Sequence, residues 1–176
     1  MLYFDCENRQ IKDVVCSVLS NKNINITQDD NCPYFFKLII KVKNNQMKLY
    51  VDNLQTEISL PANINHVYHS INRLIINKKV SINDCDFFIF QQKLIFNNKM
   101  INLKNIHNLI LNYLTLYKEK GIEKHKLYSI IWPNDKDISI NKLDSHLTNL
   151  KNEILDCIGF SIQFNSNKKI IKLAID

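Results

Sequence analysis

Side chains that form hydrogen bonds recur at helical spacing in the stretch 138–158. In a helix, one arc would carry five uncharged polar residues with a lysine at each edge: Asn141, Ser145, Thr148, Asn149 and Asn152, flanked by Lys142 and Lys151. Asparagine pairs bidentately with adenine in the major groove, serine and threonine bond to several base edges, and lysine contacts phosphate or guanine. This pattern predicts a helix that reads duplex DNA. The alternative is a solvated surface helix that reads nothing.

The same stretch has an apolar side that fixes its orientation. Four aliphatic residues recur at steps of four, three and four, namely Leu143, Leu147, Leu150 and Ile154. At 3.6 residues per turn they form one narrow stripe. We therefore expect the stripe to face a core and the polar arc to face outwards.

Other reactive residue types are not spaced for catalysis or metal binding. His66 and His69 are three apart on a predicted helix, but no Cys or acid completes a four-ligand set. Asp5 and Glu7 flank Cys6 and are interpreted as a turn after a strand, with a Mg²⁺ site as the alternative. No glycine-rich phosphate loop is present, since Gly121 and Gly159 are the only glycines. We expect no enzymatic activity, no metal, no cofactor and no small-molecule substrate.

Composition places the chain among globular proteins. It has 176 residues, 45% hydrophobic residues and a formal net charge of +6. The charge is concentrated late in the chain, because residues 77–176 hold 15 Lys and Arg against 10 Asp and Glu. A basic excess fits a nucleic-acid partner, although AT-rich coding also enriches lysine. No apolar run is long enough for a membrane span, and the five cysteines are scattered. We expect a cytoplasmic protein with reduced thiols and no membrane partner.

The first half of the chain alternates between strand and helix patterns. Short apolar runs separated by asparagine-rich turns predict strands at residues 2–4, 24–27, 35–42, 47–51 and 56–59. Apolar residues spaced by three and four predict one helix ending near Asn21 and another after Pro61. Residues 1–76 should therefore form a small α/β domain.

A second domain is predicted beyond a polar linker at 77–83. Residues 84–176 show three short strands (87–90, 93–96 and 99–103), three helices (104–119, 122–132 and 138–158) and a terminal hairpin (160–175). The pair Asn97-Asn98 is a hairpin turn, which makes the small N-terminal sheet antiparallel. Three helices followed by a β-hairpin are typical of a winged helix-turn-helix domain.

Sequence motifs in this second domain resemble the effector domain of OmpR/PhoB-type response regulators. The family's Leu-Thr-Pro-x-Glu-Phe helix start resembles Leu103 to Asn108, and its Val-Ser-Arg-Glu-x-Leu-Leu-x-x-Val-Trp segment is similar to 122–132. Its Val-Asp-x-His-Ile-x-x-Leu-Arg signature resembles Leu143 to Lys151, although the family's arginines and its Arg-Gly-x-Gly-Tyr wing motif are missing. The resemblance implies that DNA is approached by Asp144, Ser145, Thr148, Asn149 and Lys151, and at the hairpin tip by Lys168 and Lys169.

The first domain resembles a shortened, degenerate receiver domain. Residues 2–7 are similar to the first receiver strand with its acidic cluster, and 60–75 resemble the Lys-Pro junction and last helix. The strand at 36–43 contains no acid and Leu60 replaces the lysine, so no phosphoacceptor is expected. Dimerisation is the expected role, with an interface formed by Ile64, Val67, Tyr68 and Ile71.

These patterns predict a phosphorylation-independent transcription regulator of the OmpR/PhoB type that binds duplex DNA as a homodimer. RNA polymerase is a further candidate partner for such a regulator. The alternative is a winged-helix protein–protein adaptor without DNA activity, which is favoured by the nearly neutral polar arc and the missing wing motif. An apolar patch around Ser145 and Lys168 would indicate the adaptor, whereas a basic surface there would indicate DNA binding.

Overall fold

The chain divides into two units in the computed structural model, which describes residues 1–22, 24–29, 31–167 and 169–174. The units are Met1–Lys78 and Lys79–Asp176. Their boundary falls within the stretch that the sequence predicts to be a linker. Three residues of that stretch instead form a strand, because Val80 and Ile82 alternate with Ser81 and pair with the following strand.

Within the described residues, the first unit has five strands and two helices. In chain order they are β1 (Leu2–Cys6), α1 (Arg9–Asn21), β2 (Ile26–Thr27), β3 (Phe36–Lys43), β4 (Gln46–Val51), β5 (Leu54–Ser59) and α2 (Ile64–Ile75). All seven agree with the sequence predictions to within a few residues. Asn8 caps the N-terminus of α1, since its side-chain oxygen accepts a hydrogen bond from the Ile11 N–H at 3.1 Å.

The five strands form one sheet in the order β2-β1-β3-β4-β5. β1 runs parallel to β2 and β3, whereas β4 and β5 continue as antiparallel hairpins. Tight turns cause this change of direction: Asn44, Asn45 and Asp52 all have positive φ and leave no room for a crossover helix. The resemblance to a receiver domain predicts parallel strands joined by helices. In the structure, parallel pairing is limited to β1 and its two neighbours.

Alternating residues of the sheet form the core of this unit. Leu38, Ile40, Leu49 and Val51 are at most 1% exposed and lie on one face. Helices α1 and α2 contact each other and contribute buried side chains, among them Leu19 and Ile75. The opposite face of the sheet carries mostly partly exposed side chains, such as Lys37, Ile39 and Tyr50, together with the buried Tyr3.

The second unit begins with an antiparallel sheet of four strands, β6 (Val80–Ile82), β7 (Cys85–Phe88), β8 (Lys93–Phe96) and β9 (Lys99–Asn102). Asn97 and Asn98 have φ of 47° and 62°, which confirms the predicted hairpin turn between β8 and β9. The sequence predicts three of these strands; β6 is the additional one.

Three helices and a small sheet follow. They are α3 (Asn105–Leu116), β10 (Ile122–Glu123), α4 (Lys124–Ile131), α5 (Ile140–Ile158), β11 (Phe164–Ser166) and β12 (Ile170–Leu173). β11 and β12 form the terminal hairpin, and β10 pairs with β12 on the other side. The helix predicted at 122–132 is shorter than expected, because Ile122 and Glu123 form β10 by pairing with distant residues.

Close packing supports this three-stranded sheet at Gly121. A Cβ atom there would lie 2.6 Å from Ile170 Cγ2, and the residue has φ of +75°. Both conditions favour glycine, so the chain can pass close to β12 before α4 begins.

Candidate nucleic-acid interface

The inner face of α5 packs into the core of the second unit. Leu143, Leu150 and Ile154 are completely buried, and Leu147 is 6% exposed. These side chains meet α3, α4 and β9. The predicted apolar stripe is confirmed, and it fixes which face of α5 points outwards.

The outer face of α5 carries the predicted polar residues. Asn141, Ser145, Thr148, Asn149 and Asn152 are all exposed. Four of them, together with Asp144, line one open surface depression of about 460 Å³. The structure therefore brings the predicted polar arc together on a single accessible surface, which we call the α5 polar face: Asn141, Asp144, Ser145, Thr148, Asn149 and Asn152.

Two hydroxyl groups of the α5 polar face have their donors occupied. Ser145 Oγ donates to the carbonyl of Asn141 at 2.8 Å, and Thr148 Oγ1 donates to the carbonyl of Asp144 at 3.0 Å. Each hydroxyl oxygen keeps lone pairs that point away from the helix. In this rotamer both residues can accept hydrogen bonds from a ligand, for example from the amino groups of adenine or cytosine.

A buried lysine neutralises the one carboxylate of this face. Lys124 Nζ donates to Asp144 Oδ1 at 2.9 Å, and the Lys124 side chain is only 9% exposed whereas that of Asp144 is 47% exposed. The ion pair joins the start of α4 to the first half of α5. Asp144, predicted as a DNA contact, is therefore held by the protein, and its negative charge is offset beside the polar face.

Lys142 is held by the loop that precedes α5. Its ammonium donates to Asp135 Oδ2 at 2.8 Å and lies 4.5 Å from the centre of the Trp132 ring. The Tyr128 hydroxyl donates to the same carboxylate at 2.5 Å. These bonds lower the pKa of Asp135 and raise the pKa of Lys142. Lys142, which the sequence predicts as a DNA contact, thus helps to fix the approach to α5.

At the far edge of the arc, Lys151 contacts the segment before the terminal hairpin. Its ammonium donates to Gln163 Oε1 at 2.9 Å, and the Gln163 amide donates to Ser161 Oγ at 2.8 Å. This predicted DNA contact is partly buried and already bonded, although both contacts are on the surface and can be exchanged for a phosphate at little cost.

Behind α5, a cluster of rings connects the three helices. His107 Nδ1 lies 2.7 Å from Glu153 Oε2, and the His107 side chain is 5% exposed. The His146 ring packs against His107 and Trp132, with centroid distances of 5.7 and 5.3 Å. Burial lowers the pKa of His146, with smaller contributions from nearby His107, Lys142 and Lys104. His146 therefore packs within this cluster of rings.

The hairpin tip carries the remaining predicted contacts. Lys169 is exposed, and its carbonyl accepts a hydrogen bond from the Lys124 N–H at 2.8 Å. Asn167 Oδ1 accepts from the N–H groups of Lys169 and Ile170, which shapes the turn. Lys168 lies outside the described residues, so its predicted role is a proposal only.

The residues predicted for a dimer interface need a correction. Val67 and Ile71 are 4% and 1% exposed, because α2 packs this side on its own sheet and on α1. Ile64 and Tyr68 are partly exposed. A partner cannot reach Val67 and Ile71 while the unit is folded. The prediction was wrong for these two residues, since the apolar face of α2 is used within the chain.

Sequence reasoning missed Lys124 and Asp135. A signal for Lys124 was present, because it precedes Leu127 and Ile131 at helical spacing on the apolar side of α4. A lysine on a buried helix face needs an anionic partner. Asp135 lies in a turn without a periodic pattern, and nothing in the local sequence identifies its contacts with Tyr128 and Lys142.

Within the residues that the structure describes, no group of three or more His, Cys, Asp or Glu side chains is placed to hold a metal ion. None of the helices in the same part of the chain is both long and apolar enough to cross a membrane.

Comparison with known proteins gave structural likenesses only. No protein-family model matches the sequence, and no curated protein matches it either. Similar solved structures include the DNA-binding domain of E. coli CadC, with 13% identity, TM-score 0.48, and coverage of 56% of this chain and 94% of that chain. The C-terminal domain of the nisin resistance regulator NsrR, a lantibiotic response regulator, has 21% identity, TM-score 0.44, and coverage of 55% and 96%.

A third similar structure spans both units. It belongs to a family of streptococcal redox sensors evolved from two-component response regulators, with 11% identity, TM-score 0.46, and coverage of 99% of this chain and 67% of that chain. Likenesses of this size assign neither a family nor a function.

Proposed function

We propose that the second unit is a winged helix-turn-helix domain that binds duplex DNA, with α5 as its recognition helix and the β11–β12 hairpin as its wing. The observation that carries this proposal is the α5 polar face. It consists almost entirely of exposed amide and hydroxyl side chains on a helix whose other side is anchored in the core. Amides and hydroxyls are the groups that distinguish base edges in the major groove.

The dimensions of α5 fit this role. Its polar residues extend from Asn141 to Asn152, a rise of about 16 Å at about 1.5 Å per residue. The major groove is about 12 Å wide and admits a helix. A helix lying along the groove would present Asn149 and Thr148 near its middle, where base edges are within reach of short side chains.

The charges around the polar face support a DNA partner. Lys142 and Lys151 flank the face, and Lys124 offsets the carboxylate of Asp144. On the proposed wing, Lys169 and Lys172 are exposed. Lysines at these places would neutralise phosphates on either side of the groove. This electrostatic attraction supplies affinity without sequence preference.

The first unit is proposed to supply dimerisation without phosphorylation. Strand β3, where the receiver resemblance would put the phosphoacceptor, contains no Asp or Glu. Asp52, which follows β4, is ion-paired with Lys78 at 2.6 Å. A symmetric dimer would present two recognition helices to two half-sites about one helical turn apart. We therefore propose a phosphorylation-independent, dimeric transcription regulator of the OmpR/PhoB type.

The test distinguishes binding that depends on base sequence from binding that depends on charge alone. Replacing Thr148 or Asn149 with Ala should cost roughly 1–3 kcal/mol on a preferred duplex and little on a scrambled one. Replacing Lys169 with Ala should weaken binding to both duplexes and reduce the salt slope by about 1. Asn105→Ala is the matched control, since it removes an equally exposed amide from α3.

Affinity is measured by salt titration on both duplexes, for variants whose unfolding matches the parent. Equal binding of all duplexes by the parent and by the Thr148 and Asn149 variants would contradict base reading. If the parent binds no duplex even at low salt, DNA binding is wrong and the protein–protein adaptor becomes the better description.

A further inference from the structure

Strand β5 forms an exposed edge of the sheet in the first unit. It follows β4 at one end of the strand order, and it has six residues, whereas β2 at the other end has two. Leu54, Gln55, Glu57 and Ser59 are exposed. Among the described residues, β4 is the one strand that pairs with β5. A long, exposed edge strand offers a row of backbone groups for pairing with another strand.

The hydrogen-bonding phase of β5 identifies which groups point outwards. Val51 and Leu54 flank the two-residue turn, so they exchange backbone hydrogen bonds. Every second pair along the ladder does the same, namely Leu49↔Thr56 and Met47↔Ile58. The next step along the ladder confirms this phase, because the Leu60 N–H donates to the Asn45 carbonyl at 2.8 Å. Gln55, Glu57 and Ser59 therefore direct their N–H and C=O groups away from β4.

Protection of this edge is weak. Monomeric proteins commonly block an exposed edge strand with lysine, proline, a bulge or a very short strand. β5 contains no lysine and no proline, and its register with β4 is unbroken over six residue pairs. Its single charge, Glu57, is paired with Lys48 at 2.7 Å. Leu54 is 48% exposed beside the core face of the sheet.

We propose that β5 is a dimerisation edge, at which a second copy of the chain adds its own β5 in antiparallel orientation with Thr56 opposite Thr56. In this register Gln55 of each copy faces Glu57 of the other, and these outward-pointing residues exchange backbone hydrogen bonds. The Gln55 amide can also donate to the facing carboxylate. On the core face, Leu54 meets Ile58 of the second copy and becomes covered.

Neighbouring registers are less favourable. A shift by one residue in each copy puts Glu57 opposite Glu57, and like charges directly opposite each other are destabilising. The opposite shift puts Gln55 opposite Gln55 and Glu57 opposite Asn53 of the turn, so fewer strand residues pair. If the two β5 strands shift by a single position relative to each other, residues whose backbone groups point outwards face residues whose backbone groups point towards β4. No regular ladder of hydrogen bonds can then form.

This inference deepens the proposed function, because it gives the proposed dimer a surface. It replaces the buried residues Val67 and Ile71 of α2 with an edge that a partner can reach. Its test does not use DNA, so the two proposals can fail separately: loss of DNA binding leaves the dimer unaffected, and a monomer that reads DNA through α5 overturns the dimer edge alone.

A cysteine substitution tests the register in the full chain. Thr56→Cys places two thiols in a non-hydrogen-bonded pair with Cα atoms about 4.5 Å apart, within the range that a disulfide spans. Ser59→Cys is the matched control, since it lies on the same strand but would face Asn53 of the second copy. After mild oxidation, we expect a reducible covalent dimer from Thr56→Cys that neither the Ser59→Cys variant nor the parent forms.

Equal cross-linking of Thr56→Cys and Ser59→Cys, or none of either, would overturn the proposed register. The parent and both variants retain the exposed Cys157, so any background from native thiols is common to all three.

Sedimentation provides the second measurement. Gln55→Pro removes an N–H that the monomer's own sheet does not use, so the folded unit should keep its unfolding midpoint. We expect the parent to sediment as a dimer at micromolar concentrations and the variant to dimerise about ten-fold more weakly or worse. A monomeric parent, or a variant that dimerises as tightly as the parent, would refute the edge as the interface.

Discussion

Removing the two partners of the Lys124–Asp144 ion pair one at a time should have unequal effects on stability. The two groups bond at 2.9 Å, but Lys124 is only 9% exposed whereas Asp144 is 47% exposed. Lys124→Met leaves a carboxylate that water can solvate. Asp144→Ala leaves a buried ammonium without its partner. The structure therefore predicts that Asp144→Ala is the more destabilising change.

The magnitudes follow from these exposures. A hydrogen bond to a charged group contributes about 1.5–3 kcal/mol, and the partial exposure of Asp144 reduces the loss in Lys124→Met to about 1–2 kcal/mol. Breaking a buried pair so that one charge stays buried costs about 3–5 kcal/mol, which is the expectation for Asp144→Ala. Asp144→Asn keeps an acceptor for the lysine and should fall between the two.

Fluorescence can follow the second unit by itself during urea unfolding. Trp132 is the only tryptophan of the chain and packs against Tyr128 and His146. With a urea m-value of about 1–3 kcal/mol/M, a difference of about 2 kcal/mol separates the midpoints of the variants by about 1 M. A Lys124→Met variant that unfolds at the same urea concentration as Asp144→Ala, or lower, would refute the reasoning.

Three further predictions concern the core, pH and phosphorylation. Leu150→Ala should destabilise the second unit by about 2–5 kcal/mol, because the side chain is fully buried; a loss well below 1 kcal/mol in the same urea assay would contradict its place in the core. Burial lowers the folded-state pKa of His146 below the unfolded value, so its contribution to stability is present above the unfolded-state value of about 6.5 and is lost as the pH falls from there through the lowered folded-state pKa. The urea concentration at the unfolding midpoint should therefore be lower at pH 5.5 than at pH 7.5, and His146→Gln should make this difference smaller. The same pH dependence in the variant as in the parent would show that His146 is not its cause. Acetyl phosphate or a beryllofluoride mimic should leave DNA binding unchanged, because β3 provides no acceptor, and a clear gain in affinity on treatment would show that an acceptor exists elsewhere.

Local patterns predicted most of the fold. The stripe from Leu143 to Ile154 and the asparagine turns depend on residues close together in sequence, and the structure confirms both. Strands β6 and β10 were missed because they are short and are defined by their pairing partners. Ile122 is nearly fifty residues from Ile171, and no local period records that contact.

The candidate site was predictable in composition but not in connectivity. A helical wheel identifies Thr148 and Asn149 as outward-facing, because the wheel needs only spacing. It cannot show that Asp144 is held by Lys124, twenty positions earlier in the chain.

The prediction of dimer residues on α2 failed for a different reason. The apolar side of α2 suggested an interface, yet a helix with one apolar face usually needs that face for its own core.

We propose that α5 reads base sequence in duplex DNA. The most direct measurement is a selection of bound duplexes from a random pool, with the purified full chain and with a Thr148→Ala, Asn149→Ala double variant in parallel. The parent should enrich a motif with two half-sites about 10 base pairs apart, and the double variant should lose that preference while keeping salt-dependent binding. A parent that enriches no motif, or a double variant that enriches the same motif equally well, would contradict the claim.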